Sequence, residues 1–360
     1  MNVKKLSKEI KSLKYKKVEI LTRTLLSLIV VFAFLLVFFF CGGIEYFSNS
    51  NIVKSSSVSE MEVHFIDVGQ GDATLIRFPN DKLMLIDTGE SYESDSLLTY
   101  LTEFLNFNNL NSIEYLVLTH ADADHVGGTS EVVNNFNVNH VYRPKCFSKS
   151  EIGLHPELDY EVVSTNIYDD AISSIFNKGI EMTFSESGIE FSEGGANIKF
   201  LSPSKDSYSS SNNYSAVIKI EYSGKSFLFT GDCESEVENE MIDNFYAELD
   251  IDVLKVSHHG SKSATGEEFL KVTTPIIACI SVSEDNQYDL PDSDVINLLK
   301  NFNCEIVTTS ESGSFAVAIT NGELDVFYII SPSVDFTIVI SVCGVLLILI
   351  WGIKVNKKKN

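Results

Sequence analysis

Four side chains able to bind a metal ion fall within six residues of this sequence. They are His120, Asp122, Asp124 and His125, inside the segment Thr119-His120-Ala121-Asp122-Ala123-Asp124-His125-Val126-Gly127-Gly128. The segment follows the compact apolar run 113–118, which predicts a buried strand ending directly at Thr119. A turn at a strand end projects alternate side chains into one cleft. His120 and Asp122 can then point one way while Asp124 and His125 serve a neighbouring position. Imidazole together with carboxylate suits Zn2+, Mn2+ or iron. The plainer alternative is a solvated acidic turn with incidental histidines. The chain has only seven His, so finding two among paired aspartates weighs against chance.

The elements that must position these groups read as strand, turn, strand from residue 61 onward. Short apolar or β-branched runs at 61–67, 73–78 and 83–87 are broken by Gly, Pro, Asn and Asp, a strand signature. Helical spacing over 96–107 places Leu97, Leu98, Leu101, Phe104 and Leu105 on one face. A helix is expected to begin near Val126-Gly127-Gly128. Residues 145–190 are less regular and predict loops and a variable insertion. Further strands are expected at 198–201, 216–222, 227–230, 251–256, 276–281, 305–308 and 315–320, with helices at 235–244, 266–272 and 292–301. Strands in two batches with helices between them predict an α/β sandwich covered on both faces.

Other motifs stand in order around the central one. Asp67-Val68-Gly69-Gln70-Gly71-Asp72-Ala73 and Ile86-Asp87-Thr88-Gly89 precede it. Asn212-Asn213-Tyr214-Ser215, Thr230-Gly231-Asp232 and Val256-Ser257-His258-His259-Gly260-Ser261 follow. Each is weak alone, but five in order are strong. Together they resemble the HxHxDH signature of the metallo-β-lactamase fold in the form THxDxDHxGG. More specifically, they resemble the hydrolase domain of the ComEC family of DNA-uptake competence proteins, over about residues 61–328.

That resemblance implies an αββα sandwich holding two divalent metal ions, Zn2+ or Mn2+, with a metal-bridging hydroxide as nucleophile. His120 and Asp122 would hold the first ion, Asp124 and His125 the second, and Asp232 would bridge both. One imidazole of the His258-His259 pair would complete the second site; His258 is favoured as ligand, with His259 near the substrate. Asp124, Asp232 and His259 are the expected catalytic groups. Asp67, Gln70, Asp72 and Asp87, with Asn212 and Ser215, are expected to orient ligands or fix loops. Asp232 could instead cap the helix that follows it, and the paired histidines could simply occupy a turn. His64, His140 and His155 have no motif context and are taken as ordinary surface or core residues.

Two departures bear on the metal. Asp122 stands where many superfamily members have a second histidine, and no histidine occurs between His155 and His258. A first site with one carboxylate more and one imidazole fewer is harder, which makes Mn2+ a rival to Zn2+. ComEC-type proteins share both departures.

Charge and hydropathy set the surroundings. The net charge is -23. The first 43 residues hold eight of the 27 Lys+Arg and the last 27 hold four. Between them lie 15 basic and 47 acidic residues, a net charge of -32. Such a body repels polyanions at long range, so extensive nucleic-acid binding by this domain is not expected. The apolar runs 25–43 and 334–353 have the length of membrane spans. The basic segments 1–24 and 354–360 flank them and predict cytoplasmic termini. A Ser/Asn-rich linker, 44–60, leads to a hydrolase domain at 61–330, which then faces outside the cell. Six scattered cysteines with no CxxC pair exclude a zinc ribbon and favour free thiols.

The function expected is a membrane-anchored extracellular hydrolase of phosphodiesters, of ComEC nuclease type. Two alternatives remain at this point. One is a hydrolase of small esters, lactones or amides on the same metal site. The other is a non-catalytic surface or competence-accessory binding module. Two apolar spans are too few for a multi-helix channel, and oligomeric state is not legible.

Overall fold

The computed structural model describes residues 60–154 and 165–329. In its first half the chain forms β1 (Met61–Phe65), β2 (Thr74–Arg77), β3 (Leu83–Ile86), α1 (Ser94–Asn108), β4 (Ser112–Val117), α2 (Ala123–Val126), α3 (Thr129–Asn135), β5 (Asn137–Arg143), α4 (Lys149–Leu154), α5 (Asn166–Asn177) and β6 (Glu181–Phe184). The second half continues with β7 (Glu190–Glu193), β8 (Ala196–Ser202), β9 (Val217–Tyr222), β10 (Lys225–Phe229), α6 (Ser235–Phe245), β11 (Val253–Lys255), α7 (Glu267–Thr273), β12 (Ile277–Ile280), α8 (Ser293–Asn301), β13 (Glu305–Thr308), α9 (Thr309–Ser312), β14 (Phe315–Thr320) and β15 (Glu323–Tyr328).

The strands make two sheets, ordered β15-β14-β1-β2-β3-β4-β5-β6 and β13-β12-β11-β10-β9-β8-β7. Both change character part way. The pairs from β15 to β3 are antiparallel, and β3, β4, β5 and β6 run parallel. In the second sheet β7 to β10 pair antiparallel, and β10 to β13 parallel. Alternation along the strands divides the core. Met61, Val63 and Phe65 of β1 join Phe315, Val317 and Ile319 of β14 and Phe227 and Phe229 of β10 in the layer between the sheets. A second apolar layer, with Leu97, Leu101, Tyr168 and Ile172, lies between the first sheet and α1, α3 and α5. A third, with Val237, Met241, Leu270 and Leu299, lies under α6, α7 and α8. The result is the four-layer αββα sandwich expected from the sequence.

One expectation is corrected. Residues 145–190 are not mainly loop in their described part, because α5 and the edge strand β6 occupy much of it. The Thr165 side chain caps α5 by accepting from the Tyr168 backbone N–H, and Tyr168, Ala171, Ile172 and Ile175 form its buried stripe. That is the i, i+3, i+4, i+7 spacing of an amphipathic helix. The edge strands β7 and β15 are likewise additions to the sequence reading.

Cys233, Cys279 and Cys304 are buried free thiols, and Cys146 is buried as well. Among the described residues no helix is long and apolar enough to cross a membrane. The spans expected at 25–43 and 334–353, most of the linker, the two basic ends and His155 lie outside the described residues.

Candidate metal centre

The chemistry-bearing motifs all leave the carboxyl ends of strands. Asp87 follows β3, the His120 segment follows β4, Asp232 follows β10, His258-His259 follows β11, and Ser281 follows β12. Carboxyl-end loops of parallel strands open along one edge of a sheet, where α/β proteins place their sites. Here the two sheets bring those edges together. One donor atom each from Asp124, His125, Asp232 and His259 lie within 4.8 Å of one another. His259 Nε2 is 3.1 Å from Asp124 Oδ2 and 3.5 Å from Asp232 Oδ2, and His125 Nε2 is 3.2 Å from Asp232 Oδ1. His120 and Asp122 lie beside this group, with His120 Nε2 3.8 Å from Asp122 Oδ2, and the His120 and His125 rings have centroids 4.1 Å apart.

The structure differs from the sequence reading on the paired histidines. His259 joins Asp124, His125 and Asp232, whereas His258 sits at the rim. His258 is partly exposed, with Nδ1 3.1 Å from Ser263 Oγ and Nε2 3.9 Å from Asp232 Oδ2. The reason is backbone conformation. His258 (φ 50°) and His259 (φ 53°) are both left-handed, so strand alternation no longer decides which side chain turns inward. Such residues cost on the order of 1 kcal/mol each, and bonds to the Asp232 turn hold them. His258 N donates to Gly231 O (3.2 Å), and Ser257 Oγ donates to Cys233 O (2.5 Å).

Close backbone approaches fix the remaining turns. Asp72 N donates to Asp124 O (3.0 Å), and Thr88 N to His125 O (2.7 Å). A Cβ on Gly71 (φ 139°) would stand 2.4 Å from Asp124 O, and one on Gly128 2.4 Å from Thr88 O. Those two glycines are therefore required by contact.

Neighbouring hydrogen bonds set each imidazole's tautomer. Asp87, itself left-handed (φ 59°), accepts from Thr119 N (2.8 Å), Thr119 Oγ1 (2.7 Å) and His125 Nδ1 (2.7 Å). Thr119 Oγ1, its proton given to Asp87, accepts from His120 Nδ1 at 3.1 Å. His259 Nδ1 donates to the Ser281 carbonyl at 2.8 Å. All three rings thus present Nε2 to the cleft, the arrangement in which partners orient metal-binding histidines.

The electrostatics match a cation site. Burial, with the neighbouring His125, pushes His120 down to about 3, so this imidazole is neutral and offers a lone pair. Burial also opposes charge on His125 and His259. Asp232 and Asp87 override it for the first and Asp232 and Asp72 for the second, and both rise above the ordinary histidine range. Burial would raise Asp124, yet the hydrogen bond from His259 and the charge of His125 hold it at about 2. Burial raises Asp122. His120 Nε2, His125 Nε2 and Asp232 Oδ1 are buried without a hydrogen-bond partner. Orphaned polar atoms facing one another at this depth are costly, and a divalent cation satisfies them together. The residues present fit a metal centre.

The other anticipated groups are peripheral. Asp67 Oδ1 accepts from Gly69 N (3.2 Å), Gln70 Oε1 accepts from Ser283 N (3.3 Å), and Asn212 Nδ2 donates to Glu234 Oε1 (3.3 Å); none of these joins the four-donor cluster. Ser215 Oγ accepts from Asp232 N at 3.1 Å and so fixes the Asp232 turn. Asp72 and Asp87 lie with His125 in a second buried group. His64 is a core histidine, with Nδ1 2.8 Å from Tyr100 Oη and its ring edge-on to Phe104. Sequence reading missed Thr119, Ser281 and Lys255. The signal for Lys255 was available: one lysine interrupts an otherwise apolar strand two residues before the Ser257-His258-His259 turn.

A two-sheet αββα sandwich with acid and imidazole donors at its strand ends defines a class of metal-dependent, hydrolase-like proteins. The chain belongs to the metallo-beta-lactamase superfamily, whose family model matches residues 66–283. Within it the domain is of ComEC type. ComE operon protein 3 of Bacillus subtilis (strain 168) is 31% identical over 276 residues, covering 73% of this chain and 34% of the relative. Recombination protein 2 of Haemophilus influenzae is 30% identical, covering 76% and 31%. Competence protein ComA of Neisseria gonorrhoeae is 26% identical, covering 73% and 33%. The chain spans about a third of the length of these relatives.

Proposed function

We propose that this domain is a two-metal phosphodiesterase. The observation that carries the reading is the convergence of Asp124, His125, Asp232 and His259, with donor atoms within 4.8 Å and unpartnered nitrogens and oxygens facing inward. Asp124, His125 and His259 would hold one ion, and His120 and Asp122 with His258 at the rim the other, with Asp232 shared. Bound divalent ions supply a nucleophilic water at neutral pH and neutralise charge building on a phosphoryl oxygen. The chain's own residues do the positioning. Asp87, through Thr119, keeps His120 and His125 in the tautomers that expose Nε2, and Ser281 O does the same for His259. The carboxylate-rich donor set favours Mn2+ alongside Zn2+.

The ComEC-type relationship supports a phosphodiester over a small ester or lactone, because competence proteins share this domain. The acidic surface, -32 between the end segments, favours a substrate engaged over one or a few phosphates rather than along a groove. The domain would work outside the cell, tethered through 25–43 and 334–353 with both termini in the cytoplasm.

The purified full-length chain with Mn2+ or Zn2+ is expected to cleave bis(p-nitrophenyl) phosphate, and His120→Ala to remove that activity. Unchanged turnover in the variant, or turnover of lactones and esters alone, would overturn the reading. In intact cells both termini should resist added protease while the domain is cut.

A further inference from the structure

Lys255 is the only Lys or Arg, among the described residues, that pairs with a carboxylate of the buried centre, and its position is unusual for a lysine. It is the last residue of β11, its side chain is 3% exposed, and Nζ lies 2.6 Å from Asp72 Oδ2. Nζ also donates to Val256 O at 3.1 Å. The pair links the two sheets, since Lys255 ends β11 of the second sheet and Asp72 belongs to the loop between β1 and β2 of the first. Asp72 is also 95% or more buried, and its second oxygen, Oδ1, has no hydrogen-bond partner. That oxygen stands 3.5 Å from His259 Nδ1, whose proton is instead given to Ser281 O at 2.8 Å. Asp72 Oδ2 is 3.9 Å from His125 Nδ1, which is bonded to Asp87.

Asp72 is therefore within a short rotation of two imidazoles that already have other partners. A carboxylate free to turn would compete with Ser281 O for His259 and with Asp87 for His125. We infer that Lys255 is a positioning residue that holds Asp72 off the Nδ1 atoms of His125 and His259, so that both rings keep the partners that aim their Nε2 atoms at the ions. The ammonium does this by geometry and by charge. It anchors one carboxylate oxygen at 2.6 Å, and it offsets the charge of a buried anion that would otherwise be drawn to the two imidazoles. The inference rests on the metal reading of the site but not on the choice of substrate.

The test uses the full-length chain loaded with Co2+, whose visible absorption reports the ligand field. Lys255→Met, close in length and apolar, is expected to change that spectrum and to alter the Co2+ dissociation constant at least tenfold, because Asp72 then takes an imidazole Nδ1 from its present partner and turns the ring. Adding Asp72→Asn to it removes both charges, and the double variant should return the wild-type spectrum and a dissociation constant within about threefold, as coupled buried pairs do in double-mutant cycles. If Lys255→Met alone fails to fold, the same restoration in the double variant still assigns the fault to the released Asp72. A wild-type spectrum and affinity in Lys255→Met would overturn the inference, as would a double variant as disturbed as the single. A wild-type chain that takes up no Co2+ would overturn this inference together with the metal reading. Intact Co2+ binding without phosphodiester turnover would overturn only the proposed activity.

Discussion

At the residue scale, the centre depends on which nitrogen each histidine presents. Asp87 is the hub, because it receives Thr119 N, Thr119 Oγ1 and His125 Nδ1 and, through Thr119, sets His120. Asp87→Asn keeps the shape but puts an N–H where one of those donors must point. Loss of such a partner ordinarily costs 10–100-fold in metal affinity. Asp87→Asn is therefore expected to weaken Mn2+ or Zn2+ binding by about that factor in calorimetric titration; an unchanged affinity would remove Asp87 from its orienting role. Much of this was legible in the sequence. The segment from Thr119 to Gly128 is local, and a strand end fixes its geometry. The choice between His258 and His259 was not legible, because two successive left-handed residues obey neither the strand period nor the helix period. Nor was the partnership of Lys255 with Asp72, which depends on how the two sheets face each other.

At the element scale, sequence patterning identified β3 and β4 in the parallel part of the first sheet and β10 to β13 in that of the second, where apolar runs are continuous. The same patterning missed β5, whose Asn137, Asn139 and Arg143 break up its apolar residues. It was weakest at the margins. β15 has no buried residue, and its alternation is between exposed and half-buried positions, the polar character of an edge strand. The α5 stripe is interrupted by Asp169 and Asp170, which hides the helical period. One link between helices carries a pH signature. Glu238 on α6 accepts the backbone N–H groups of Thr265 and, at 3.1 Å, Gly266 at the start of α7. Burial pushes its carboxyl from the ordinary 4.5 up to about 7, against the pull of those two bonds. The folded protein thus keeps a proton that the unfolded chain has released. The associated stability is complete below about pH 4.5 and is lost as the pH rises through about 7. Between pH 5 and 8, urea unfolding of Glu238→Gln should show a decline smaller than that of the wild type by on the order of 2 kcal/mol. Parallel declines would assign the pH dependence elsewhere.

At the scale of the whole molecule, neither sheet owns the centre. The first supplies Asp87, His120, Asp122, Asp124 and His125 from the ends of β3 and β4; the second supplies Asp232, His258 and His259 from the ends of β10 and β11. A ligand that binds only the folded state stabilises it by about 4 kcal/mol at a thousandfold excess over its dissociation constant, and here that energy acts across the join between layers. Treatment with a chelator is expected to lower the melting temperature by several degrees and to speed amide hydrogen exchange in β4 and β11 together. Exchange that quickens only in the ligand turns would confine the effect to the site. A cation held there would act as a rivet: wherever divalent ions run short, the sandwich should come apart along its middle seam before its outer helices let go.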